Sequence, residues 1–417
     1  MWPTRFPGNL LHVLVVLQVC SALSILEFIV GPKLGGQRIS AKSFDVPPAQ
    51  LLVEAQGYTF ENHEVTSESG HILTLHRIPH AKEKTGRSSQ RPIALFQHGL
   101  LAASDSWLFR GGGKDMPYIL AKAGYDVWLS NMRGNVYSNK HQTLDSQRDE
   151  EYWNFGLEEV AKYDLPAIID YILDVANQQS LFFLGHSIGS TVGLIMCALK
   201  PEYNSKIRAH LALAPLVYVT HPISFTHKLL LSPVKYLSEM LMQENIYGVL
   251  PRRKYFSQIL EFFCKDGMPT QALCVGAIFM MVGDDHAQFN TTSLPSILSY
   301  YPSGTSLYLA MHTMQLYTTG KFESLNYGNF TLNKEKYNST TPQSYNISQV
   351  THPVLLLYGT GDNFVKQEDI SYLAKKLPNA VEVQVPYKNF NHMDFMWGID
   401  ANKLLYERLL ILMNKYR

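Results

Sequence analysis

Gly185-His186-Ser187-Ile188-Gly189 follows the apolar run Leu181-Phe182-Phe183-Leu184 and leads into a stretch of helical character over residues 191–199. A strand that passes sharply into a helix through G-x-S-x-G is a nucleophile elbow, a turn that lifts a serine hydroxyl clear of a sheet edge. The glycines serve a steric purpose, because side chains there would strike the neighbouring strand and helix as the turn tightens. A glycine-rich turn with an idle serine would read the same way over five residues, so the rest of the chain has to supply partners for Ser187.

A serine nucleophile needs a base to take its proton and an acid to hold that base in the right tautomer. In this architecture they follow in the chain order Ser, then Asp or Glu, then His. Pro353-Val354-Leu355-Leu356-Leu357-Tyr358-Gly359 reads as a buried strand running into the turn Thr360-Gly361-Asp362. A helix over 366–377 and a strand over 381–385 then lead to Asn391-His392-Met393-Asp394. This spacing lets Asp362 and His392 emerge on one sheet edge, with Ser187 as nucleophile, His392 as general acid/base and Asp362 as its orienting acid. Asp394, two residues from the histidine, is the rival acid. The reaction also needs N–H donors for an oxyanion. The residue after the nucleophile, Ile188, offers one, and the loop His98-Gly99-Leu100-Leu101 after the strand-like Ile93-Ala94-Leu95-Phe96-Gln97 offers Leu100 as the second.

Around these motifs the chain alternates strands and helices. A hairpin is expected from Glu64-Val65-Thr66 through a Ser69-Gly70 turn to residues 71–78. Strands are expected at 94–97, 126–131, 181–184, 209–214, 354–358 and 381–385. Helices are expected at 118–123 and 158–176, the second kinked or restarted by Pro166. The pattern predicts an α/β fold with a mostly parallel central sheet covered on both faces. The rhythm stops between Ala214 and Pro353, where apolar helical stretches at 225–242, 255–263 and 272–281 carry several methionines and aromatics. Residues 327–348 are polar and read as an exposed loop.

A formal charge of +1 and only 17% charged residues, without a basic stripe, speak against nucleic acid as a partner. Arg5, the apolar stretch over 10–19 and Cys20-Ser21-Ala22 read as a signal peptide ending at residue 22. Its apolar core is shorter than the ~20 residues of a membrane-spanning helix, and no span is expected in the mature chain. Removing the leader takes Cys20 with it and leaves Cys197, Cys264 and Cys274 in an oxidising compartment, free or with one bridge. Sequons at Asn290, Asn329, Asn338 and Asn346 point to the same compartment.

The chain resembles the acid lipase family, which contains gastric lipase, lysosomal acid lipase and many insect members. The likeness rests on Gln97-His98-Gly99-Leu100-Leu101, Ala123-Gly124-Tyr125-Asp126-Val127-Trp128-Leu129, Arg133-Gly134-Asn135 and Ala161-Lys162-Tyr163-Asp164-Leu165-Pro166-Ala167. Pro302-Ser303-Gly304-Thr305-Ser306 and Asn391-His392-Met393-Asp394-Phe395 extend it, so that it runs from about Pro48 to the C-terminus. The resemblance implies an α/β-hydrolase with an inserted, mainly helical cap: leader 1–22, core 23–215, cap 216–350, core 351–417. It places the family's triad on Ser187, Asp362 and His392, its oxyanion donors on Leu100 and Ile188, and a short disulfide on Cys264 and Cys274. The family's glutamine after the nucleophile is Ile188 here, a change that bears on substrate choice and rate more than on reaction type. A member of this family is expected to be a secreted or lysosomal glycoprotein that hydrolyses lipid esters at a lipid–water interface. It would need no metal, organic cofactor or obligate protein partner. A lipid carrier on a lipase fold and an acyltransferase are the alternatives, and the intact Ser, Asp and His argue against the carrier.

Overall fold

Apolar residues alternate between two buried layers along the central strands. Ile93 and Leu95 enter one core and Ala94 and Phe96 the other, and the same division holds for Leu181 and Phe183 against Phe182 and Leu184. Val354 and Leu356 likewise oppose Leu355 and Leu357. Successive side chains of a strand point to opposite faces, so continuous apolar runs belong to strands covered on both sides.

The computed structural model describes residues 46–79 and 91–417, with a short ladder at 33–34 and 37–38; the expected leader lies outside the described residues. The main sheet is built from β1 (Glu61–Thr66), β2 (His71–Ile78), β3 (Ile93–Gln97), β4 (Asp126–Ser130), β5 (Leu181–His186), β6 (Ile207–Leu213), β7 (Val354–Tyr358) and β8 (Ala380–Gln384). Their order across the sheet is β8-β7-β6-β5-β3-β4-β2-β1, with Lys140–His141 beside β2. From β8 to β4 all pairs are parallel, and β1–β2 and β2–β4 are antiparallel. The helices α1 (Met116–Lys122), α2 (Leu165–Ala176) and α3 (Ile188–Leu199) join the sheet strands by crossovers. Leu165, Ile168, Ile169 and Ile172 of α2 and Val192 and Ile195 of α3 cover one face, while Tyr118 and Leu120 of α1 cover the other.

Pro166 does not restart the helix as a separate element. Leu157–Glu159 passes through a π turn, Val160–Asp164, directly into α2. A wide turn before a proline accommodates its missing N–H. Asp164, the last residue of that turn, is buried against Arg133, whose Nε donates to Asp164 Oδ2 at 2.8 Å.

Between β6 and β7 the chain forms α4 (Phe225–Gln243), α5 (Lys254–Cys264), α6 (Gln271–Val282), α7 (Leu294–Tyr300), α8 (Leu307–Thr319) and α9 (Phe330–Tyr337). The last three exceed the sequence expectation, and α9 lies inside the segment read as a loop. Its residues, Phe-Thr-Leu-Asn-Lys-Glu-Lys-Tyr, carry no apolar stripe, so periodicity had nothing to report. The helix is started instead by Asn329, whose side chain accepts from the N–H groups of Thr331 and Leu332 at 2.9 and 3.3 Å. All four sequon asparagines are exposed. Cys264 at the end of α5 is disulfide-bonded to Cys274 in α6, and Cys197 is buried and free. The chain returns through β7, α10 (Gln367–Lys376) and β8 to a C-terminal helix, α11 (Glu407–Asn414).

Candidate active site

The carboxyl ends of β3, β5, β7 and β8 share one edge because these strands run parallel, and the loops that follow them carry Leu100, Ser187, Asp362 and His392. Ser187 has φ 55° and ψ −125°, a conformation that a side chain adopts only under strain. The flanking glycines make it possible. A Cβ at Gly185 would stand 2.5 Å from the Ser190 nitrogen, and one at Gly189 would stand 2.3 Å from the Gln97 carbonyl oxygen. Both obstacles are backbone and cannot rotate away. The N–H of Ile188 opens α3 and therefore has no acceptor within the helix, which leaves it available to an oxyanion.

His392 and Asp362 are in contact: Nδ1–H donates to Asp362 Oδ2 at 2.8 Å. The other carboxylate oxygen accepts from the N–H groups of Phe364 and Val365 at 2.7 and 3.0 Å. Asp362 is thus fixed in orientation, and Nε2 of His392 is left as the nitrogen that can exchange a proton. The histidine backbone is held too, its N–H donating to the Val282 carbonyl at 3.2 Å. Asp394 has a different role. It accepts from the Asn391 N–H at 2.7 Å, and burial followed by the nearby carboxyl of Asp285 raises its pKa to about 8. Proximity in sequence thus gives Asp394 a cap on the loop, while Asp362 holds the ring.

Sequence reasoning passed over His186, the variable residue of the elbow. Its Nε2–H donates to the His392 carbonyl at 2.8 Å, tying the serine loop to the histidine loop. The two rings lie 4.8 Å apart. Burial, and then the positive charge His392 would carry, lower the His186 pKa to about 3, so it stays neutral beside its neighbour. The only sequence signal was a histidine at that variable place, and its partner is too distant in the chain to be inferred. Ile188 points into the core and is fully buried, which explains how an apolar residue sits beside the serine without disturbing the turn. Gly99 backs onto the elbow: a Cβ there would lie 3.3 Å from Ser187 Cβ, so the peptide that carries the Leu100 N–H passes close to the serine.

A family model described as a partial alpha/beta-hydrolase lipase region matches residues 49–111, and one for the alpha/beta hydrolase fold matches residues 92–249. Lipase 1 of Drosophila melanogaster is 36% identical over 384 residues, covering 91% of this chain and 82% of that protein. Human gastric triacylglycerol lipase is 34% identical over 367 residues, covering 87% of this chain and 90% of its own. Among solved structures, a bacterial membrane phospholipase A superposes with a TM-score of 0.51 at 13% identity, covering 99% of both chains, a likeness of fold alone. With relatives this similar over nearly their whole length, the chain belongs to the acid lipase family of α/β-hydrolases.

Proposed function

We propose that this protein is a serine lipase that hydrolyses carboxylic esters of long-chain fatty acids, with Ser187 as nucleophile, His392 as general acid/base and Asp362 as its orienting acid. The observation that carries the assignment is the 2.8 Å bond from His392 Nδ1 to Asp362, made on the edge where the strained Ser187 is raised. Ser187 Oγ attacks the ester carbonyl while Nε2 of His392 takes its proton. The carbonyl oxygen becomes an oxyanion facing the N–H groups of Leu100 and Ile188. As the tetrahedral centre collapses, the carbon–oxygen bond to the alcohol breaks and His392 returns the proton to the departing oxygen. Water, deprotonated by the same nitrogen, then attacks the acyl-serine; the bond to Ser187 Oγ breaks, His392 returns the proton to that oxygen, and the fatty acid leaves.

The insertion over 216–350 would serve as a cap above this edge. Its α6 ends at Val282, whose carbonyl accepts from the N–H groups of both Asn363 and His392 at 3.3 and 3.2 Å, so its attachment meets the acid and base loops directly. Met240 and Met280 are among its exposed side chains, and methionine-rich apolar surface adapts to acyl chains of varied shape. Among the described residues no helix is long and apolar enough to cross a membrane. The disulfide and the exposed sequons suit a secreted or lysosomal setting.

The test compares the wild-type protein with Ser187→Ala on emulsified trioleoylglycerol and cholesteryl oleate from acid to neutral pH. Fatty-acid release should fall by roughly 10⁴-fold or more in the variant, and the ratio of the two rates assigns triacylglycerol or steryl ester as the preferred class. Equal release from both proteins would remove Ser187 from the mechanism.

A further inference from the structure

We propose that Tyr301 is a positioning residue for the oxyanion: from the insertion, its hydroxyl holds the loop that aims the Leu100 N–H. This rests on the serine-hydrolase reading above and adds a residue to it. Leu101 has φ 60°, a left-handed conformation that a leucine does not adopt unaided. What imposes it is a set of hydrogen bonds to three successive carbonyl groups.

The first is local. His98 Nε2 accepts from the Met132 N–H at 3.0 Å, so the ring's proton is on Nδ1, which donates to the Gly99 carbonyl at 2.8 Å. The Gly99 C=O and the Leu100 N–H belong to one planar peptide, so this bond sets one side of the plane. The other two come from the insertion. Tyr301 donates its hydroxyl to the Leu100 carbonyl at 3.0 Å, and the Ser303 N–H donates to the Leu101 carbonyl at 2.7 Å.

The insertion is firmly seated where it makes these contacts. Arg252 forms a two-pronged ion pair with Asp105 at 2.6 and 2.9 Å and also donates to the Tyr300 carbonyl and to Ser303 Oγ. The Tyr301 ring packs edge-on against Trp397 at 6.3 Å. Burial pushes the phenol up to about 12, so it remains a donor throughout the working pH range. An oxyanion hole works because its donors are aimed in advance. Here the aim of one donor depends on a side chain outside the hydrolase core.

The experiment removes only the hydroxyl, with Tyr301→Phe in the full chain, assayed on p-nitrophenyl butyrate. The expected result is a kcat lowered roughly 10-fold, about the worth of one hydrogen bond, with KM and melting temperature little changed. Inactivation by diethyl p-nitrophenyl phosphate gives a second readout: burst amplitude counts folded sites, and the rate constant per site reports oxyanion stabilisation. That rate constant should fall by the same factor as kcat even if some of the variant misfolds. An unchanged rate constant per site, or a raised KM at unchanged kcat, overturns the proposal. Ser187→Ala in parallel separates the two levels. If it loses the burst while Tyr301→Phe equals wild type, only the Tyr301 inference fails; if it keeps the burst, the serine reading fails.

Discussion

The sheet and the insertion handle apolar surface in opposite ways. Along β3, β5 and β7 every apolar side chain is buried, divided between two cores that helices close over. On α4, α5 and α6 several large apolar side chains face outward: Phe225 is 79% exposed, Tyr236 75%, Leu273 74% and Phe262 55%. Burying such groups is the main favourable term of folding, and leaving them in water forgoes roughly 1.5–3 kcal/mol each. The sheet half buries its apolar residues beneath a rigid edge; the insertion leaves part of its own exposed.

The largest effect is expected on the rigid edge. Asp362→Asn leaves the loop's shape but disturbs the proton arrangement at His392 Nδ1, and it should lower kcat by about 10³–10⁴-fold with little loss of stability. Turnover of a soluble ester together with a thermal melt checks it. A rate near wild type would mean that another acid, with Asp394 the first candidate, orients the histidine.

Next in size is a loss of stability with no catalytic meaning. Arg133 and Asp164 are each about 1% exposed at the side chain, and Arg133 also donates to Ser69 Oγ at 2.8 Å. Removing one member of a buried pair leaves the other charge uncompensated. Arg133→Met should therefore cost about 3–5 kcal/mol in chemical denaturation. The paired change Arg133→Met with Asp164→Leu should recover much of that loss. If the single variant is as stable as wild type, the core half is less rigid than its burial implies.

The insertion should respond the other way. Phe262→Ser with Leu273→Ser alters residues that already face solvent, so stability should move by no more than about 0.5 kcal/mol per site. Release from emulsified triolein should drop several-fold while hydrolysis of a soluble short ester holds. Equal loss on both substrates would place these residues in the fold or the catalytic step and not at an interface.

The same contrast explains what could be read from sequence. Strands β3 to β7 were legible because two-faced burial writes continuous apolar runs bounded by turns, and the mostly exposed edge strand β8 was legible by its alternating valines; their ends moved by two residues or fewer. The elbow was legible because steric demand at Gly185 and Gly189 admits one residue type. Helix α9 was not, since it is held by the Asn329 cap and lacks an apolar face. The bonds from Tyr301 to Leu100 and from His186 to His392 span 201 and 206 positions, and nothing local announces either. Asp362 and Asp394 were rivals for the histidine by the same logic: only the fold shows which carboxylate faces the ring and which one caps the loop.

A pH-dependent effect is expected on the seam between the two regions. Asp394 belongs to the histidine loop, and Asp285, buried and bonded to the Tyr387 hydroxyl at 3.2 Å, belongs to the insertion. Burial first, then Asp285 and more weakly Asp362, raise the Asp394 pKa from 3.8 to about 8. The folded protein thus holds this proton more tightly than the unfolded chain does. The stability it contributes is complete below the unfolded value and declines as pH rises through about 8. Asp394→Asn keeps an oxygen for the Asn391 N–H and cannot ionise. Its melting temperature should match wild type near pH 4, exceed it near pH 8, and fall less steeply between them. An unchanged slope would mean that the carboxylate finds adequate solvation at the seam, and that core and insertion meet there through water and not through a shared proton.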